Sequence, residues 1–224
     1  MSIWNEFFSE PRNIKRAPEA EIYHFTQTLV SAFPGQTLRI WDLCCGAGRH
    51  TVALAQLGYQ VFASDHASKA LRLTQTWLID LGLSAHVVES DMTVCPWPEV
   101  LFHGVMSWDA LNHNTLDNIR QTICMVHDQL VPGGLFLLTL KSTRAGLYGQ
   151  GELIEPNTYI SKDGSEAGIP HHYSDEEEVR EFFQGWEIIS LADQVIRYVE
   201  QGRTFAEHNP FPHTTWGILA RKGF

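Results

Sequence analysis

The chain has 224 residues, 44% of them hydrophobic, and a net charge of −10 at pH 7. This length and apolar content predict one globular domain, residues 1–224, with a full hydrophobic core. The negative charge argues against a nucleic-acid partner, because binding to phosphates needs clustered lysines and arginines.

The first predicted helix opens after Pro18, with acidic residues in its first turn, and it ends near Phe33. Residues 1–37 are therefore interpreted as an N-terminal cap followed by a helix. The start of the chain has no signal-peptide pattern and no transmembrane stretch follows it. The four cysteines match neither a disulfide framework nor a zinc site. We therefore expect a cytoplasmic protein that makes no membrane contact.

The most informative segment begins at Ile40, where an apolar run leads into Asp42 and then the small-residue turn Cys44-Cys45-Gly46-Ala47-Gly48. A helical pattern opens at about Arg49. Strand, loop and helix in this order present backbone N–H groups to an anionic or polar ligand. A second predicted strand ends at Asp65, whose carboxylate can accept both hydroxyls of a ribose. The segment predicts a cofactor that contains adenosine.

A dinucleotide is disfavoured as that cofactor. Dinucleotide sites use G-x-G-x-x-G, in which the third glycine lets the helix pack close to the strand. Thr51 stands where that third glycine is needed. An NAD-dependent oxidoreductase is therefore the weaker interpretation.

The elements that follow alternate between strand and helix, which predicts an α/β, doubly wound, mostly parallel sheet. An apolar stripe from Ala70 to Leu81 predicts a helix, and Ile119 to Leu130 predicts another. Strand 5 is expected to end near Leu140. Residues 38–142 are interpreted as the cofactor-binding half.

The last third of the chain departs from this alternation. Residues 143–173 are rich in glycine and fit no regular element, so they predict a lid inserted after strand 5. Residues 174–224 predict a helix capped by Ser174 and a hairpin of strands 186–195 and 214–220.

Several segments together resemble class I S-adenosylmethionine-dependent methyltransferases. Asp42 to Gly48 resembles the family's D-x-G-x-G-x-G motif, with Cys44 replacing the first glycine. Because Cys44 has a Cβ, we expect its φ to avoid positive values. Asp91-Met92 looks like the loop that reads adenine, and Ser107 ends a strand that looks like strand 4. His103 stands where the family has an acid, and Pro132-Gly133-Gly134 looks like the family's turn into strand 5.

The resemblance implies a seven-stranded sheet with an antiparallel last strand, S-adenosyl-L-methionine as cofactor and S-adenosyl-L-homocysteine as product. The residues it points to as cofactor contacts are Asp42, Cys44, Gly46, Gly48, Asp65, His66, Asp91, Met92 and Ser107. The tail, with Phe182-Phe183 and a hairpin ending in Arg221-Lys222, looks like that of small bacterial tellurite-resistance-type methyltransferases. That likeness implies a small molecule or an oxyanion as substrate.

The substrate side is predicted from position alone. His113 follows strand 4 and can act as a base near neutral pH. Adjacent histidines point apart, so His171-His172 is a poor two-histidine metal site and we expect no metal. The candidate substrate contacts are Trp4, Trp108, Asn112, Arg144, Tyr148, His171, His172 and Tyr173. The segment from Trp4 to Pro18 also resembles the entry segment that closes over the cofactor in many small-molecule methyltransferases, which implies that Trp4, Phe7, Phe8 and Arg16 reach the cofactor or substrate side.

The predicted function is in-line methyl transfer to a small molecule, with catalysis mainly through positioning. The alternatives are an RNA or protein methyltransferase on the same fold, or a non-catalytic S-adenosylmethionine-binding protein. A monomer and a homodimer are both compatible with the sequence.

Overall fold

The computed structural model describes residues 3–14, 17–195, 199–200, 203–204 and 214–223. Within these ranges no helix is both long and apolar enough to cross a membrane. The α-helices are α1 Ile3–Phe7, α2 Glu21–Ala32, α3 Arg49–Gln56, α4 Ser68–Asp80, α5 Leu116–Gln129 and α6 Glu176–Phe182, and a 3-10 turn spans Pro11–Asn13.

Twelve strands lie in the described ranges. They are β1 Arg39–Leu43, β2 Gln60–Asp65, β3 His86–Glu89, β4 Phe102–Ser107, β5 Leu130–Ser142, β6 Glu152–Glu155, β7 Thr158–Ile160, β8 Pro170–Ser174, β9 Trp186–Val195, β10 Val199–Glu200, β11 Arg203–Thr204 and β12 Thr214–Lys222. Strands β10 and β11 pair with each other in a separate antiparallel ribbon.

Seven strands form the body of the main sheet, in the order β3-β2-β1-β4-β5-β12-β9. The pairs from β3 to β5 are parallel, whereas β12 runs antiparallel to both β5 and β9. The predicted α/β sheet with an antiparallel last strand is confirmed. The carboxyl ends of β1, β2 and β4 meet at one edge, which is where ligands bind in doubly wound folds.

The core is divided between the two faces of the sheet because strand residues alternate in direction. Trp41 points to the face covered by α5 and α6, where it packs with residues such as Phe102 and Ile123. Ile40 points to the opposite face, where α2 and α3 contribute Phe25 and Leu54. Each such fully buried side chain contributes about 1.5–3 kcal/mol of transfer free energy. Helices on both faces hold the edge of the sheet rigid.

The segment 143–173 contains regular structure, so the expectation that it fits no regular element was wrong. Its strands β6, β7 and β8 form an antiparallel arm, and β8 continues the main sheet by pairing Lys141 and Ser142 of β5 with Tyr173 and Ser174. Strands of three to five residues, separated by glycine turns, are too short to give a periodic signal. The prediction of a Ser174 cap was also wrong, since the cap of α6 is Asp175, which accepts a hydrogen bond from Glu178 N.

Candidate functional site

The loop between β1 and α3 contains three residues in the left-handed region of backbone space. Gly46 has φ 53° and Gly48 has φ 86°, and Cys44 has φ 61°. The expectation that Cys44 avoids positive φ was wrong. The chain leaves β1 in a turn that requires this conformation, and a residue with a Cβ adopts it at a cost of roughly 1–2 kcal/mol.

Gly48 also lets α3 approach α4 closely. A Cβ on Gly48 would lie 2.7 Å from two side-chain atoms of Thr74, closer than packed atoms allow. The Thr74 hydroxyl donates a hydrogen bond of 2.9 Å to the Gly46 carbonyl. The turn is therefore held from behind by α4, and its front remains open.

Asp65 lies at the end of β2 with both carboxylate oxygens tied to backbone donors. Oδ2 accepts from Gly46 N at 2.9 Å and Oδ1 accepts from Ala67 N at 2.8 Å. Burial raises the pKa of this carboxyl, while the two backbone hydrogen bonds oppose the rise. Each oxygen keeps a further lone pair, so the oriented carboxylate can still accept ligand hydroxyls.

Asp42 supports this loop from the interior. It is buried, and its Oδ2 accepts a hydrogen bond of 2.6 Å from the Thr51 hydroxyl in α3. Burial raises the pKa of Asp42 to about 6. Thr51 stands where a dinucleotide site needs a glycine. Its hydroxyl instead anchors α3 to β1 through this hydrogen bond with Asp42.

Three acidic groups converge on the Cys44 thiol. Burial raises its pKa well above the usual value, and Asp65, Asp42 and Asp91 raise it further. Asp91 itself accepts from Thr93 N at 2.9 Å and from the Thr93 hydroxyl at 2.6 Å, and that hydroxyl bond lowers the pKa of Asp91. The acids that the sequence places in three separate segments therefore meet at one loop.

The N-terminal segment closes over the loop. Phe8 packs on Gly46, where a Cβ would lie 3.0 Å from its ring, and the Asn5 side chain accepts a hydrogen bond of 2.8 Å from Lys69 N at the start of α4. Arg49 forms an ion pair of 2.6 Å with Glu19. Arg16, which was expected to reach this side, lies outside the described residues.

Between this roof and the sheet edge lies a cavity of about 1500 Å³. Its lining brings together eleven of the predicted site residues: Trp4, Cys44, Gly46, Asp65, His66, Asp91, Met92, Trp108, His113, His171 and Tyr173. Cofactor and substrate candidates thus face one space. Asp42, Gly48 and Ser107 are not among the lining residues, and the first two hold the loop from behind through Thr51 and Thr74.

Four predicted substrate contacts lie away from the cavity. Asn112 is buried, and its carbonyl accepts from His172 N at 2.8 Å. His172 is buried between Glu178 and Thr158, at 2.8 Å from each. Arg144 is an ion-pair partner of Asp193 and lies over Trp216, and Tyr148 donates to Asn157 at 2.7 Å. Residues 112 and 172 therefore connect the arm to the sheet and α6, and none of the four residues lines the cavity, where their predicted substrate contact would lie.

The end of the cavity that contains the predicted substrate contacts His113, His171 and Tyr173 has a cluster of polar groups from distant segments. His171 Nε2 lies 2.7 Å from Glu166 Oε2, and His113 Nε2 lies 3.6 Å from the same oxygen. Burial, followed by the charge of Lys141, lowers the pKa of His113 to about 3, so this imidazole is neutral. Burial acts to raise the pKa of Glu166. The hydrogen bond from His171 and the charge of Lys141 outweigh this effect and hold the pKa far below its usual range.

Lys141 and Tyr173 complete this end of the cavity. The Lys141 ammonium lies 6.0 Å from the centre of the Tyr173 ring, and burial lowers the pKa of Lys141. Burial raises the pKa of Tyr173 to about 12. Lys141 and Glu166 were both missed from the sequence. The signal for Lys141 was its place as the first charged residue after the buried run 135–140, whereas Glu166 has no local signal.

Comparison with known proteins agrees with this geometry. Residues 40–134 match a family model described as "Methyltransferase domain". An uncharacterized methyltransferase of Synechocystis sp. (strain PCC 6803) is 36% identical over 107 residues, which is 47% of this chain and 47% of that protein. The chain therefore spans about half the length of that relative.

Solved structures with the same fold are more distant in sequence. An S-adenosylmethionine-dependent methyltransferase from Methanosarcina mazei superposes with a TM-score of 0.73 at 19% identity, over 93% of this chain and 99% of that one. TehB from Haemophilus influenzae superposes with a TM-score of 0.66 at 16% identity, over 98% and 67%. At these identities the likeness establishes the fold.

Proposed function

We propose that this chain, which carries a class I S-adenosylmethionine-dependent methyltransferase domain, transfers the cofactor's methyl group to a small molecule held in the roofed cavity. One observation carries the proposal. The loop and acids suited to the cofactor and the polar cluster around His113 line the same space, and the N-terminal segment covers it. A covered cavity admits a small acceptor more readily than a folded RNA or protein.

The residues present fit the cofactor. Gly46 and Gly48 leave the front of the turn free of side chains, and Asp65 presents an oriented carboxylate beside it. Asp91 and Met92 line the same cavity, which supports their predicted place at the adenine. When bound, S-adenosylmethionine supplies a methyl group that is already electrophilic, so the protein chiefly has to position the acceptor and exclude water.

The protein's own contribution is therefore alignment. Trp4, in the roof, packs against the His113 ring with centroids 5.0 Å apart, which links closure of the roof to the substrate end. His113 is proposed as a contact of the acceptor. With a pKa of about 3 it is a neutral imidazole and a weak proton acceptor at neutral pH, so the expected role as a base near neutral pH is not part of the proposal.

The cofactor assignment is tested by replacing Asp65. Asp65→Ala removes a charged acceptor of ligand hydroxyls, worth roughly 1.5–3 kcal/mol. We expect S-adenosylhomocysteine affinity, measured by calorimetry, to fall roughly 10- to 150-fold. Asp80→Ala, at the exposed end of α4, is the matched control and should bind normally. Unchanged affinity in a folded Asp65→Ala protein would remove the basis of the assignment.

The acceptor is tested by incubating the wild-type enzyme and labelled S-adenosylmethionine with fractionated metabolite pools. We expect label in one small-molecule fraction, and less of it with Asp65→Ala. Label in protein or RNA would replace the small-molecule proposal. Cofactor binding with no label in any fraction would support a non-catalytic binding protein.

A further inference from the structure

We propose that His113, Glu166 and His171 form a binding site for a divalent transition-metal ion at the substrate end of the cavity. The three ligand atoms come from the loop after β4, from the connection between β7 and β8, and from β8 itself, and all lie within 4.8 Å of one another. All three residues line the cavity. The ion would present open coordination positions to the acceptor, and this last step alone rests on the proposed methyltransferase function.

The hydrogen bonds of His171 prepare it as a ligand. Its Nδ1 lies 3.0 Å from the Ile169 carbonyl, an acceptor, so this nitrogen carries a proton. Its Nε2 makes a hydrogen bond of 2.7 Å with Glu166 Oε2, and a metal ion bound by both residues would take the place of the proton between them. Donation of the second ring N–H to a backbone carbonyl is the usual arrangement of a histidine that binds a metal.

His113 is held in one orientation by its neighbours. The ring is fixed between Trp4 and His171, at centroid distances of 5.0 and 4.9 Å. Its side chain is 7% exposed, so few alternative orientations are open to it.

The donor set selects the class of ion. Two imidazoles and one carboxylate are used for zinc and for other first-row metals in sites that keep positions open for a substrate. Magnesium and calcium prefer oxygen ligands, which this cluster does not supply in number. Ligand atoms at about 2.0–2.2 Å from a tetrahedral zinc ion are roughly 3.4 Å from one another. Binding therefore requires His171 Nε2 and Glu166 Oε2, now 2.7 Å apart, to separate slightly, while the whole cluster stays within its present 4.8 Å.

The charge of Lys141 allows a second test of the proposed metal site. Its charge acts on both His113 and Glu166, and a nearby ammonium repels a bound cation. Replacing it with methionine should therefore tighten metal binding. If a proton bridges His171 and Glu166 instead of an ion, the same replacement creates no metal affinity.

The test uses untagged, chelator-treated protein and Co²⁺, whose visible absorption reports coordination by nitrogen and oxygen. We expect saturation at one equivalent, displacement by Zn²⁺, and tighter binding in Lys141→Met. His171→Gln and Glu166→Gln should weaken binding roughly 100-fold or more, because loss of an outer partner alone costs roughly 10- to 100-fold. His127→Ala, a histidine in α5 that does not line the cavity, is the control for adventitious binding and should titrate like the wild type.

Thermal unfolding without metal checks that each variant is folded. Glu166→Asp, which keeps a carboxylate, should recover part of the Co²⁺ affinity that Glu166→Gln loses. Absence of saturable absorption, or equal binding in wild type, His171→Gln and Glu166→Gln, would overturn the proposal. S-adenosylhomocysteine binding is measured on the same samples. Normal cofactor binding with no Co²⁺ site rejects the metal alone, whereas an intact Co²⁺ site with no cofactor binding rejects the methyltransferase function alone.

Discussion

Asp42→Asn should gain stability relative to the wild type as pH rises. Burial raises the pKa of Asp42 from 3.8 to about 6, so the folded state keeps a proton that the unfolded chain has already lost. Between these two values the folded state binds more protons, and the free energy of unfolding falls as pH rises. Above pH 6 the full cost of the buried charge is present, at about 3 kcal/mol from about 1.4 kcal/mol per pKa unit.

An asparagine at position 42 carries no charge at any pH, and its carbonyl can still accept the hydrogen bond from Thr51. Its NH₂ group is buried without a carboxylate's charge, which adds a destabilising term that does not change with pH. The informative quantity is therefore the difference between variant and wild type at two pH values. From pH about 4.5 to about 7.5 we expect this difference to shift by about 2 kcal/mol in favour of the variant.

Urea unfolding followed by tryptophan fluorescence measures this shift, because the chain has seven tryptophans. Asp80→Asn makes the same chemical change at an exposed position and controls for net charge. A stability difference that stays constant across the pH range, or that favours the wild type as pH rises, would show that Asp42 is not held out of water as described.

Two further predictions concern the loop between β1 and α3 and the arm. Gly48→Ala should lower the free energy of unfolding by about 1–3 kcal/mol more than Gly35→Ala. Both positions have positive φ, but only Gly48 faces Thr74 at 2.7 Å, and equal losses in urea unfolding would contradict this. Replacing residues 146–168 by a short Gly/Ser linker should leave S-adenosylhomocysteine affinity within about a few-fold and reduce methyl transfer by orders of magnitude. Surviving turnover on the identified acceptor would show that the arm does not hold the substrate.

The cofactor side could be predicted because its information is local. Asp42, the Gly46-Gly48 turn and Asp65 occur in short contiguous runs, and the parallel sheet brings the ends of those runs together whatever the details of packing. Strands β9 and β12 could also be predicted. The observed β9, Trp186–Val195, has its predicted bounds, and β12 starts at Thr214 as predicted. Cys44 was misjudged because a turn can impose a left-handed conformation at a modest cost, which composition does not reveal.

The substrate side could not be predicted in the same way. The arm has strands too short for periodicity, and the register of Lys141 with Tyr173 follows from long-range pairing. That pairing carries β8, and with it His171, to the end of β5, opposite His113 from the loop after β4. Sequence reasoning compared His171 with its neighbour His172, whereas the structure pairs it with residues at positions 113 and 166.

The different contacts of His171 and His172 show how strand β8 turns one of the two side chains towards the cavity. Alternation along β8 sends successive side chains to opposite sides. His172 is locked to Glu178 of α6 and to Thr158 of β7, which fixes the strand, and His171 is thereby turned towards the cavity. A buried histidine with two partners thus positions its neighbour within the lining. Substrate specificity is expected to change with substitutions in the arm, while the loop from Asp42 to Gly48 keeps one cofactor.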